Sequence, residues 1–296
     1  MTDRHEVRRG VSNRRIVQAN GVDICVETFG DSGDPAILLI GGAAASMDWW
    51  EEDFCTRLAD GSRFVIRYDF RDTGQSVSYE PGAPSYTGSD LVEDALGLLD
   101  TLGLARAHVV GISMGGGIAQ SMVLGYPDRI ASLTLMSTSP VNPGDRDLPP
   151  ASEELSALFS DPPPEPDWSD RGAVIDYMVD GERQFAGSHP FDEAHVREIA
   201  GRIFDRTVNI ESAMKNHWIL DEGEGPTSPR LEEVVAPTLV IHGQEDPLVP
   251  YPHGFALAKE IPGSHLIALE QTGHEYPRRE VWDIAVPAIM QHTSGG

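Results

Sequence analysis

Cysteine is nearly absent from this chain of 296 residues: Cys25 and Cys55 are the only two. No Cys-x-x-Cys, His-Glu-x-x-His or His/Cys cluster at ligand spacing occurs, so neither a metal nor any other cofactor is expected. Cys25 falls in an expected strand and Cys55 in an expected helix. Both read as buried free thiols of a reducing compartment. Lysine is scarce as well, with only Lys215 and Lys259, and the formal net charge is −25. Such a field repels phosphate backbones and anionic lipid, which argues against nucleic-acid and membrane partners. No apolar run reaches the roughly 20 residues of a membrane span. The opening stretch, MTDRHEVRRGVSNRR, lacks the apolar centre of a signal peptide. A frayed tail on a cytoplasmic protein is the expectation. Internal repeats are absent, and the oligomeric state is open.

What the chain does have is an alternation of strand and helix patterns. Residues 14–19 and 22–29 read as a hairpin around Asn20-Gly21. AILLI (36–40) reads as a buried strand ending in Gly41-Gly42, followed by an amphipathic helix closed at Gly61. RFVIRYDF (63–70) is a further strand, and 88–103 places Leu91, Ala95, Leu98, Leu99 and Leu102 on one helical face. A strand before Ser113, a helix after it and a strand over 130–138 continue the pattern. Alternation of this kind predicts a mainly parallel sheet covered by helices on both faces. It breaks at Pro140 and resumes with strands over 236–243 and 264–270 and helices over 252–261 and 280–292. Residues 140–230 are therefore expected to form a helical insertion over a core of 1–139 and 231–296. Its aromatic residues, Trp168, Phe185 and Trp218 among them, argue against disorder.

Chemistry is concentrated in HVVGISMGGGIAQ (108–120). Gly111-Ile112-Ser113-Met114-Gly115 fits the Gly-x-Ser-x-Gly nucleophile elbow, with a strand pattern before it and a helix pattern after it. The turn lifts the serine hydroxyl off the sheet toward a helix N-terminus, where unpaired N–H groups favour negative charge. A serine needs a base, and in this arrangement the order is serine, acid, histidine. His274 follows the last strand through a short turn, whereas His242, His265, His253 and His292 lie in strands, at a helix start or in the tail. The acid belongs after the penultimate strand. There Asp246 is preferred, because backbone N–H groups can hold its short side chain, with Glu245 as the alternative. The N–H of Met114 and that of Gly42 or Ala43 would form an oxyanion hole.

With these residues in order, the chain resembles the α/β-hydrolase fold family from about residue 14 to 292. YDFRDTGQS (68–76) is similar to the family's turn after the fourth strand, and GYPDRIASLTLMS to its Tyr-Pro-Asp-Arg strand entry. The resemblance implies an eight-stranded, mainly parallel sheet and a helical cap at 140–230. Within the family, the Gly-Gly loop, the YDxRDTG turn and the PTLVI…DP…PHG pattern resemble the aclacinomycin methylesterase type, which removes a methyl ester from a polyketide glycoside. Epoxide hydrolases and dehalogenases carry Asp where Ser113 stands. Carbon–carbon bond hydrolases usually carry Ser-Gly-Pro-Gly where this chain has GGAAAS.

The expected activity is that of a serine carboxylic-ester hydrolase on a small-molecule ester with an apolar, bulky group. Ser113 attacks, His274 moves the proton, Asp246 orients the ring, and the acyl-enzyme is hydrolysed. His217 and Trp218 are expected to touch substrate. Lactonases and perhydrolases share the triad. A non-catalytic receptor on the same scaffold is the reading from a different class, since fold does not dictate function.

Overall fold

The computed structural model describes residues 13–141, 147–221, 223 and 230–295. Residues 1–12 of the expected frayed tail MTDRHEVRRGVSNRR, and parts of the stretches flanking the insertion, lie outside these residues, while its last residue, Arg15, is in a strand. Asn20 and Gly21, at φ 48° and 76°, make the tight turn between β1 (Arg15–Ala19) and β2 (Val22–Phe29). These are the positive angles that a two-residue hairpin turn requires. There follow β3 (Ala36–Ile40), α1 (Glu52–Asp60), β4 (Phe64–Tyr68), α2 (Gly88–Thr101), β5 (Ala107–Ile112), α3 (Met114–Gly125) and β6 (Ile130–Met136). The insertion contributes α4 (Glu153–Ser160), α5 (Arg171–Phe185), α6 (Glu193–Arg206) and α7 (Ile210–Lys215), with no strand among its described residues. The chain closes with β7 (Thr238–Gly243), α8 (Pro252–Glu260), β8 (His265–Leu269) and α9 (Trp282–His292).

The eight strands form one sheet in the order β1-β2-β4-β3-β5-β6-β7-β8. Pairing is parallel from β4 to β8 and antiparallel only where β2 meets β1 and β4. Side chains alternate across the strands, so β3 feeds both faces. Leu38 and Ile40 pack with Leu91, Leu98, Ile118 and Met122 on one side. Ile37 and Leu39 pack with Trp50, Phe54, Leu58, Trp282 and Ile289 on the other. Helices α2, α3 and α8 cover the first face, α1 and α9 the second. The cap has a small core of its own, in which Val174, Met178 and Val179 of α5 meet Ile199, Ala200 and Ile203 of α6. Both cysteines are buried, as their positions predict. No helix among the described residues is long and apolar enough to cross a membrane.

Polar contacts fasten the cap to the core along two edges. On one edge Arg206, at the end of α6, meets buried Asp69 through two nitrogens and Asp48 through a third, at 2.5–2.6 Å. Asn216 donates to buried Asp72 at 2.8 Å. On the other edge Ser188 donates to Glu245, and His189 meets Glu275 at 2.9 Å. Asp69 and Asp72 both belong to the YDFRDTGQS turn, which thus joins the cap to core groups that the same carboxylates hold, Met47 N–H and the Tyr86 hydroxyl among them. Glu245 is exposed and occupied by Ser188, which removes it as the alternative triad acid.

Candidate active site

The chain has to turn from β5 into α3 within one residue, and Ser113 takes the strain, at φ 53° and ψ −121°. That positive φ costs a non-glycine residue of order 1–3 kcal/mol and persists only where the surroundings enforce it. The surroundings here are glycines with no room to spare. A Cβ on Gly111 would lie 2.2 Å from the carbonyl oxygen of Gly115, and one on Gly115 would lie 2.3 Å from that of Gly41. Both obstacles are backbone and cannot swing aside. Gly115→Ala is expected to cost about 1–3 kcal/mol. Gly117, on the same helix with open space around it, is the control: Gly117→Ala should be neutral or stabilising by up to ~1 kcal/mol. Denaturant midpoints of the two variants check the contrast.

Ser113, His274 and Asp246 are joined in one hydrogen-bonded chain. The Ser113 hydroxyl lies 2.9 Å from His274 Nε2, and His274 Nδ1 lies 2.8 Å from Asp246 Oδ2. Asp246 is buried, and its other oxygen accepts the backbone N–H groups of Leu248 and Val249 at 2.9 and 2.7 Å. A carboxylate so held keeps its aim, and fixes the tautomer in which Nε2 faces the serine. The His274 backbone N–H donates to the carbonyl of Phe185 in α5, and the Phe185 ring lies 6.0 Å from the imidazole. The cap thus positions the histidine directly. His242, also buried, stands 3.5 Å from Asp246; burial pushes its pKa down and its Nε2–H goes to the carbonyl of Val249.

Beside the serine, the loop after β3 lies close: a Cβ on Gly42 would touch that of Ser113 at 3.5 Å. The Gly42 N–H donates to the Tyr276 hydroxyl at 2.7 Å. Gly42 is therefore not the free donor that the sequence allowed. The N–H groups of Ala43 and Met114 have no partner among the described residues. Met114 opens α3, so its N–H also carries the positive end of the helix dipole.

His217 and Trp218, expected to touch substrate, are placed otherwise. They sit on a single 3-10 turn, Asn216–Ile219, which sends one inward and the other outward. Trp218 is exposed at 53 % and packs on Phe159 at the cap surface. His217 is buried, with both ring nitrogens engaged by backbone. Nδ1 accepts from Ala44 N–H at 2.9 Å, and Nε2–H donates to the carbonyl of Arg71 at 2.9 Å. Ala44, at φ 59°, is itself strained. His217 is thus a positioning residue that pins the loop next to Ala43. Burial pushes its pKa down to about 4, so it is neutral and can accept. Tyr276 was missed in the sequence, although its place two residues after His274 was a signal. Among the described residues, no group of three or more His, Cys, Asp and Glu could hold a metal ion.

Residues 35–165 match a family described as the alpha/beta hydrolase fold, and residues 204–281 match one described as TAP-like protein. The chain is 31% identical to rhodomycin D methylesterase of Streptomyces sp. (strain C5), with 94% of this chain and 97% of that one covered. It is 29% identical to the enzyme of the same name from Streptomyces peucetius, with the same coverage. Among solved structures, an esterase of Exiguobacterium antarcticum superposes with a TM-score of 0.73 at 21% identity, covering 95% of this chain and 99% of that one; at such identity the likeness concerns the fold. A serine elbow on an eight-stranded sheet beneath a helical cap, together with these relatives, leads to one assignment: the chain belongs to the α/β-hydrolase fold family and is a hydrolase acting on ester bonds.

Proposed function

We propose that the protein is a serine carboxylic-ester hydrolase that works through an acyl-enzyme on a bulky, largely apolar small-molecule ester, in the first instance a methyl ester. The observation that carries this reading is the unbroken chain from Ser113 through His274 to Asp246 beside two unspent N–H groups. His274 Nε2 takes the hydroxyl proton as Ser113 Oγ attacks the ester carbonyl. Met114 and Ala43 donate to the oxyanion, and His274 returns the proton to the departing alkoxide. Water then enters, gives its proton to His274 and releases the acid. Phe185 lies against His274, and Tyr276, with Trp49 stacked on it, lies against Gly42 beside Ser113; this aromatic surface suits a large apolar group. The methyl ester is suggested by the names of the Streptomyces relatives. The two buried free thiols suit a reducing interior, which supports a cytoplasmic enzyme.

The test is rapid mixing with p-nitrophenyl esters of increasing chain length. A burst of nitrophenol close to one equivalent, followed by a slower steady rate, is expected, and intact-mass measurement should find the acyl group on Ser113. Hydrolysis with neither a burst nor a Ser113 adduct in quenched samples would overturn the acyl-enzyme. No turnover of any ester, activated or methyl, would favour the receptor reading.

A further inference from the structure

Strand β7 ends in His242-Gly243, and the turn that follows carries Asp246. His242 is fully buried, and the proposed chemistry makes no use of it. Its Nε2 faces two acceptors, the Val249 carbonyl at 2.7 Å and Oδ2 of Asp246 at 3.5 Å. That is the same carboxylate oxygen that lies 2.8 Å from His274 Nδ1. Two imidazoles thus converge on one oxygen of Asp246. Val249 is used twice as well: its N–H donates to Asp246 Oδ1 at 2.7 Å, while its carbonyl accepts from His242. His242 thereby ties to β7 the residue that grips the other carboxylate oxygen.

Acceptors at Nε2 fix the tautomer, with the proton on that nitrogen. Nδ1 is then a bare lone pair, buried and without a partner among the described residues. It faces Gly254 of α8, where even a Cβ would come within 2.7 Å of it. A second proton on the ring would find no acceptor there. Burial lowers the His242 pKa, His274 and His253 add to the effect, and Asp246 opposes it; Tyr251 presents only its ring, at 6.1 Å. The ring is therefore a neutral donor. A cation in its place would compete with the His274 imidazolium for the same carboxylate. We infer that His242 is a positioning residue for the triad acid: it fastens the Asp246–Val249 turn to β7 and keeps the Asp246 carboxylate aimed at His274. It acts on the reaction through Asp246 and touches no reacting atom. This inference rests on the ester-hydrolase reading above and extends its hydrogen-bonded chain by one residue.

The experiment measures kcat and KM for p-nitrophenyl butyrate in His242→Gln, His242→Asn and His242→Met. Glutamine carries an N–H at the place of Nε2, asparagine carries one at the place of Nδ1, and methionine has none. The glutamine variant is expected within about threefold of wild type, whereas the asparagine and methionine variants should lose about 10- to 100-fold in kcat with KM little changed. His242→Met is then combined with Asp246→Asn. In that background it should cost about threefold or less, since a residue that works through Asp246 has little left to position. Should the methionine variant fail to fold, the asparagine variant takes its place in the cycle. Wild-type kcat in the asparagine and methionine variants overturns the assignment, as does a glutamine variant no better than those two. So does a loss carried by KM, or one undiminished in the Asp246→Asn background. Failure of the underlying reading looks different: wild type itself hydrolyses no ester and Ser113 shows no acyl burst.

Discussion

Ser113→Ala is expected to lower kcat by about 10⁴- to 10⁶-fold while KM changes little. The size follows from what the hydroxyl does in the site. In the proposed mechanism it is the nucleophile at the end of the hydrogen-bonded chain, and the alanine variant keeps Met114 and Ala43 N–H in place. On that mechanism, what remains is water attack assisted by these two N–H groups and by binding. KM should hold because the serine Oγ contributes little to binding a large apolar ester. His274→Ala should fall into the same range, and combining the two should cost little more, since they act as a unit. Asp246→Asn is a separate case. The shape is kept, but the amide no longer holds the charge and tautomer, and a loss near 10⁴-fold is expected. Steady-state rates on a p-nitrophenyl ester check all four. A Ser113→Ala rate within a hundredfold of wild type would contradict the nucleophile assignment.

The second large effect is expected in acid. Burial pushes His217 down from the ordinary 6.5 to about 4, and His108 likewise to about 4. Burial also lowers His242 and His292. A histidine whose pKa is depressed by folding stabilises the native state fully above about 6.5, because only the unfolded chain gains the proton below that value. The contribution is lost as pH falls toward 4. At about 1.4 kcal/mol per unit, His217 alone accounts for about 3 kcal/mol. Urea titrations at pH 7 and pH 4.5 should show the loss as a shift in midpoint. His217→Gln should flatten the pH dependence, because it cannot titrate. Only near pH 4 does native His217 itself gain a proton, and there it can no longer accept from Ala44, so the strained loop beside Ala43 is released. A stability that is flat from pH 7 to pH 4.5 would contradict the buried neutral histidines.

Much of this site was legible in the sequence because its constraints are local. Only glycine fits where the β5–α3 turn brings backbone oxygens within 2.2–2.3 Å of a would-be Cβ, so the elbow announces itself. Asp246 and His274 follow from chain order once the strands on either side are recognised. What remained hidden depends on contacts between distant segments. Choosing Ala43 over Gly42 required knowing that Tyr276, 234 residues away, takes the Gly42 amide. His217 and Trp218 are neighbours in the sequence, yet the 3-10 turn that carries them sends them in opposite directions. The aspartates of the YDFRDTGQS turn gave no sign of their partners, since Arg206 and Asn216 lie in the cap, where sequence patterns are weakest.

The cap contacts run to the moving parts of the chemistry. His217 and Arg206 hold the loop that bears Ala43 and Asp48, while Phe185, Ser188 and His189 hold the loop that bears His274. The unit that can be inherited or transplanted is therefore larger than the four cap helices. A chimera that exchanges residues 147–221 alone would receive a new pocket and lose the braces of both catalytic loops. One that carries segments 43–48, 69–72 and 272–276 along with the cap would keep them. Changes of substrate among such enzymes should proceed by substitution on the cap's inward faces more readily than by replacement of the cap as a module.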